Sequence, residues 1–129
     1  MSTAHFKDSE FACKCGCGFC KPDPRLIAGL EKLRTKLGDK PIIINSGCRC
    51  KTHNAKVGGA PNSLHTKGTA ADIRVNGVTP SQVARIARTI ECFKRSGIIW
   101  YDKGWTHLDV GRIVPYHRHC TADGKYNAF

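Results

Sequence analysis

Ser63-Leu64-His65-Thr66-Lys67-Gly68-Thr69-Ala70-Ala71-Asp72-Ile73-Arg74-Val75 carries the chain from a polar, glycine-marked turn into an alternating segment. From Thr69 onward Ala71, Ile73 and Val75 fall on one face and Ala70, Asp72 and Arg74 on the other, the period of two expected of a half-buried strand. The preceding residues, 45 to 69, hold Gly47, Gly58, Gly59, Pro61 and Gly68 among Asn, Ser and Thr, with no apolar period. That composition predicts an extended loop, and long loops inside small domains are usually functional.

Working outward, Pro41-Ile42-Ile43-Ile44 is too short and too β-branched for a helix and predicts a buried strand. Before it, Asp23-Pro24 supplies an N-cap followed by proline at the first helical position, and Leu26, Leu30, Leu33 and Leu37 recur at helical spacing until Gly38. After the quoted stretch, Thr79-Pro80 repeats that device, and Val83, Ile86, Ala87, Ile90 and Phe93 form the apolar stripe of a second helix that Gly97 ends. Residues 98–101 and 105–110 follow as strands around the turn Asp102-Lys103-Gly104, and from Arg112 the chain is polar and basic, without strand or helix signals. The sum is an α+β fold, a small, mostly antiparallel sheet packed with two main helices. One domain is expected over 1–129, with a Cys-rich segment at 1–22 and a basic tail at 112–129.

Lys and Arg number 21 against 10 acidic residues, a net charge of +11, and the resulting field favours polyanionic partners such as nucleic acid, anionic lipid or anionic cell wall. The basic residues are spread along the chain, without the dense cluster and interleaved aromatics of a dedicated nucleic-acid reader. No run approaches the roughly 20 apolar residues that span a bilayer, so no membrane partner is expected.

Catalytic zinc takes three protein groups from His, Asp, Glu or Cys and keeps a position for water. His65, Asp72 and His107 supply such a set: Asp72 and His107 lie in alternating strands whose pairing would converge their side chains, and His65 ends the loop. Asp109, two residues beyond His107, shares its face about 7 Å along the strand. It is a candidate general base, with Asp102 behind it, or else a carboxylate that orients a ligating histidine.

Residues 63–72 resemble the Ser-x-His-x-x-Gly-x-Ala-x-Asp signature of zinc D-Ala-D-Ala carboxypeptidases and related M15 peptidases, and Trp105-Thr106-His107-Leu108-Asp109 resembles their aromatic-x-His-x-Asp signature. Ser46-Gly47-Cys48-Arg49, residues 54–63, the first helix and the Cys-rich start extend the likeness over residues 6 to 112. The resemblance implies the fold shared by D-Ala-D-Ala peptidases and hedgehog domains, and one catalytic Zn2+ on His65, Asp72 and His107. It assigns substrate binding to Arg49 and Ser63, with Arg49 holding the substrate's carboxylate or polarising its carbonyl, tasks that suit a guanidinium fork. Where several relatives carry Glu or Asp three residues before the last histidine, this chain has Gly104.

The implied activity is zinc-dependent hydrolysis of a D-amino-acid-containing peptide bond in bacterial peptidoglycan, by a carboxypeptidase or an endolysin-type endopeptidase. Stem peptides are then the partners, and a monomer is expected. Hedgehog domains share the fold and the zinc yet act as signalling modules, so a catalytically silent wall-binding or signalling domain is one alternative. A basic zinc module on nucleic acid is the other. The start, Met-Ser-Thr-Ala-His-Phe-Lys-Asp, lacks the apolar core of a secretory signal, which predicts synthesis in the cytoplasm and a route to the wall such as phage-type lysis.

Six of the 8 cysteines crowd into Cys13, Cys15, Cys17, Cys20, Cys48 and Cys50. Two outcomes stay open: a second, structural zinc on Cys13, Cys15, Cys17 and Cys20 with Cys48 or Cys50 able to complete it, or disulfides tying the N-terminal segment to the loop. His117-Arg118-His119-Cys120 is expected to be solvated polar sequence.

Overall fold

The computed structural model describes residues 3–19 and 21–129. The first helix, α1 (Pro24–Lys36), begins at the anticipated cap, where the Asp23 carboxylate accepts from the Arg25 N–H at 2.8 Å. Its leucine stripe is buried through Leu26, Leu30 and Leu33. The chain then runs through β1 (Ile42–Ser46), α2 (Lys51–Lys56), β2 (Ala70–Val75), α3 (Pro80–Ala87), α4 (Glu91–Lys94), β3 (Gly97–Tyr101), β4 (Trp105–Asp109), β5 (Tyr116–Cys120) and β6 (Tyr126–Ala128). The strands form one sheet in the order β1-β2-β4-β3-β5-β6.

Alternation sorts the sheet into two faces. Ile73, Leu108 and Ile98 join Leu30, Leu33, Val83, Ala87 and Phe93 in one buried cluster, so α1, α3 and α4 cover that side. The other side carries Asp72, His107, Ile99 and Tyr101 and lines an open cleft. Among the described residues no helix is long and apolar enough to cross a membrane.

The structure corrects four expectations. The sheet is mixed, not mostly antiparallel, because β5 joins β3 in parallel while the remaining neighbours pair antiparallel. The tail, 112–129, read as polar sequence without strand or helix signals, supplies β5, ordered by pairing to β3, and β6, ordered by pairing to β5, and the pairing to β3 is a long-range contact that leaves no local apolar pattern. The supposed loop, 45–69, contains α2, which Cys50 caps by accepting from the His53 N–H at 3.3 Å, and a 3-10 turn at Leu64–Lys67. The single second helix is two. Thr89 Oγ1 donates to the Ile86 carbonyl at 2.7 Å, occupying the acceptor a continuing helix would offer to the Ile90 N–H, which turns to Ala87 instead.

Gly68 ends the 3-10 turn in the left-handed region at φ 73°, and a Cβ there would overlap the Lys21 carbonyl of the N-terminal segment. Gly58 has the same φ with open space around it. Gly58→Ala should therefore cost only the backbone strain, about 1–2 kcal/mol, while Gly68→Ala costs clearly more. Urea denaturation of the two variants side by side checks the ordering, and equal losses would contradict the close approach.

Candidate metal centre

Sheet register sets the site. Asp72 on β2 lies directly opposite His107 on β4, and His107 opposite Ile99 on β3. Cross-strand partners of this kind have Cβ atoms about 5 Å apart, so the carboxylate and imidazole meet above the sheet. His65 reaches them from the 3-10 turn, where its own N–H is capped by Ser63 Oγ at 3.3 Å.

His65 Nε2 stands 3.3 Å from Asp72 Oδ1, and His107 Nδ1 stands 3.1 Å from the same oxygen. All three candidate ligand atoms lie within 4.8 Å of one another. The far nitrogen of each ring is fixed. His65 Nδ1 donates to the Gly47 carbonyl at 2.7 Å, and His107 Nε2 donates to Asp109 Oδ2 at 2.7 Å. A carbonyl and a carboxylate only accept, so the outer nitrogens carry protons, and His65 Nε2 and His107 Nδ1 are the nitrogens that face Asp72 and would be free to ligate once any proton on them is displaced. Zinc with bonds of roughly 2.0–2.1 Å in a tetrahedron sets its ligands about 3.4 Å apart. The residues present fit such an ion.

Asp109 is fully buried, and its carboxylate also accepts from Ser96 Oγ and, at 3.1 Å, from Arg112 Nε. Gly97, paired with it across β3 and β4, leaves the room: a Cβ there would overlap the Asp109 carboxylate. Burial alone would raise this acid's pKa, yet the hydrogen bond and charge of His107 and the Ser96 hydroxyl lower it to about 2. Burial likewise opposes ionisation of Asp72, and the two histidines hold it well below the ordinary carboxylate range. For His107 the balance reverses in sign: burial would favour the neutral ring, but hydrogen bonds to Asp109 and Asp72 raise its pKa to about 9 in the metal-free protein. Both carboxylates thus stay ionised and hold the ring between them.

Arg49 follows β1. Its Nε donates to Ser46 Oγ at 3.1 Å, Nη1 to Asn54 Oδ1 at 3.2 Å and Nη2 to Asp72 Oδ2 at 3.3 Å. One N–H on each terminal nitrogen remains for a ligand. Arg49, Ser63, Tyr101, Trp105 and Tyr126 line a cleft of about 310 Å³ around the His–Asp–His group. Larger hollows of about 450 Å³ beside Leu37 and about 500 Å³ beside Cys92 bring together no three metal-ligating groups among the described residues.

The structure thus draws His65, Asp72, His107, Arg49 and Ser63 into one cleft and sets Asp109 behind the His107 ring, away from it. Asp102 is elsewhere, accepting from His119 Nε2 at 2.6 Å. The His117–His119 pair does not converge: His117 Nε2 bonds the Lys94 carbonyl, and the His119 ring stacks on Trp100 at 3.6 Å. Two aromatic residues of the cleft were given no role in the sequence: Tyr101, signalled by its alternation with Ile99, and Tyr126, which had no local sign.

Two histidines with their outer nitrogens pinned and a shared carboxylate, beneath an arginine, form a candidate mononuclear metal centre. The family model described as Peptidase M15 matches residues 4–109, and the chain belongs to that family. It is 44% identical over 59 residues to a zinc D-Ala-D-Ala carboxypeptidase of Streptomyces albus G, a match covering 46% of this chain and 23% of that protein. It is 31% identical over 96 residues to the peptidoglycan L,D-endopeptidase MepK of Escherichia coli K12, covering 69% of this chain and 51% of that protein. A probable MepK of Haemophilus influenzae is 30% identical over 101 residues, 72% of this chain and 53% of that protein. The chain thus spans about half or less of these relatives' lengths.

The buried Asp109 carboxylate makes a specific prediction. Asp109→Asn should keep the fold but weaken zinc binding by about 10- to 100-fold, through loss of the charge that orients His107. Competition with a chromogenic chelator reads the affinity, and an unchanged value would remove Asp109 from this role.

Proposed function

We propose that the chain is a zinc-dependent peptidase that hydrolyses a D-amino-acid-containing peptide bond in bacterial peptidoglycan. The observation that carries this is the convergence of His65 Nε2 and His107 Nδ1 on one Asp72 oxygen, in a cleft that Arg49 also lines. The names of the relatives, a D-Ala-D-Ala carboxypeptidase and L,D-endopeptidases, support peptidoglycan as the substrate class.

His65, Asp72 and His107 would hold the zinc, which when bound supplies a Lewis acid that polarises a carbonyl and acidifies water. The Gly47 carbonyl and Asp109 fix the two imidazoles as neutral ligands by taking their remaining protons as hydrogen-bond donors. Ser96 and Arg112 hold Asp109 in turn, so that acid acts as a positioning residue and not as the base that meets water. Arg49 presents its two remaining N–H groups to a substrate carboxylate or carbonyl, with Ser46, Asn54 and Asp72 keeping the fork rigid. Burial and a hydrogen bond with Tyr126 push the Tyr101 phenol far up, so it stays protonated in the wall of the cleft.

Incubating the purified chain with peptidoglycan and identifying released fragments by mass spectrometry tests the activity. Loss of terminal D-Ala marks a carboxypeptidase, internal cleavage an endopeptidase, and intact substrate with zinc-loaded protein would refute both. Arg49→Ala should lower turnover far more than zinc content or melting temperature. Arg49→Lys should restore little, because an ammonium lacks the paired donors. Parallel losses of metal and melting temperature would make Arg49 structural.

A further inference from the structure

Cys13, Cys15, Cys17 and Cys50 bring four sulfurs within 4.8 Å of one another. Cys13 Sγ lies 3.4 Å from Cys15 Sγ, and Cys15 Sγ lies 3.6 Å from Cys50 Sγ. Zinc bound to four thiolates at roughly 2.3 Å sets its sulfurs about 3.8 Å apart, whereas a disulfide sets them about 2.0 Å apart. The cluster has the dimensions of the first arrangement.

The local chain is built to gather these sulfurs. Gly16 and Gly18 take positive φ, 81° and 88°, turning the backbone between cysteines at alternate positions. The Cys13 N–H closes the turn on the Phe19 carbonyl at 2.8 Å. Backbone donors face the sulfurs: the Cys50 N–H to Cys13 Sγ at 3.4 Å and the His53 N–H to Cys50 Sγ at 3.3 Å. Donors of that kind stabilise thiolate over thiol. Cys48 belongs to the core cluster and accepts from the Lys21 N–H, and Cys20 lies outside the described residues.

We propose that Cys13, Cys15, Cys17 and Cys50 form a second, structural zinc site that fastens the N-terminal segment to the loop carrying Arg49. Ligation displaces thiol protons into solvent and involves no oxidation. Cys50 follows Arg49 directly, and the Arg49 N–H donates to the His65 carbonyl at 2.9 Å, so the site anchors the loop that joins both halves of the cleft. Its existence is independent of what the cleft hydrolyses.

The test is cobalt(II) substitution of the whole chain, purified anaerobically. Two metal ions per chain are expected, with an intense near-ultraviolet sulfur-to-cobalt charge-transfer band. Cys17→Ser should lose one metal ion and most of the band and melt at lower temperature, while His65→Ala loses one ion and keeps the band. One metal ion per chain without the band overturns the proposal. So does an intact mass under non-reducing conditions that records the cluster cysteines oxidised in pairs. Because the band and the mass are read on the unmodified chain, a variant that fails to fold leaves the test decisive.

Discussion

The cross-strand pairing of Asp72 with His107 is the constraint on which the rest of the site depends. Side chains alternate along a strand, so a slip of one residue between β2 and β4 would turn either Asp72 or His107 toward the helices and bring Ile73 or Leu108 out of the core. The same register that buries those apolar residues therefore presents the candidate ligating pair. Core packing and site geometry are one decision, which explains how so small a sheet can hold a charged cluster without separate scaffolding.

Around that pair the electrostatics are graded by depth. His107 sits between an inner carboxylate, Asp109, and an outer one, Asp72, and each carboxylate has an arginine of its own, Arg112 behind and Arg49 in front. Buried charges are tolerated only when paired and hydrogen-bonded, and here every member has a partner.

The third candidate ligand depends on chain that the sheet does not control. His65 is held by the Gly47 carbonyl, and the segment around Gly47 is itself gripped by the N-terminus, since the Cys48 N–H donates to the Phe11 carbonyl at 2.7 Å. Any Cβ on Gly47 would overlap Phe11, and Gly68 is pressed against Lys21 in the same manner. The N-terminal segment thus acts as a strap across the back of the cleft loop, and Cys13, Cys15 and Cys17 lie between its contacts at Phe11 and Lys21.

The sequence by itself determined the elements whose causes are local. The cap at Asp23, the box at Thr79 and the alternation through Asp72 and His107 were legible because each is set by groups a few residues apart. The candidate ligands were legible too, since residue type and strand parity decide which side chains can face a cation. The parallel addition of β5, the helix inside the loop and the break at Thr89 were not, nor was the position of Asp109 behind His107. Tertiary structure decided the first and the last, which depend on contacts between distant segments, β5 on β3 and Ser96 on Asp109, while the helix in the loop and the break at Thr89 turn on bonds three residues apart, Cys50 with His53 and Thr89 with Ile86, that leave no apolar pattern to read. A carboxylate two residues from a histidine can serve as base or brace with equal sequence grounds. Its burial, fixed by the residues that enclose it, is what separates the two.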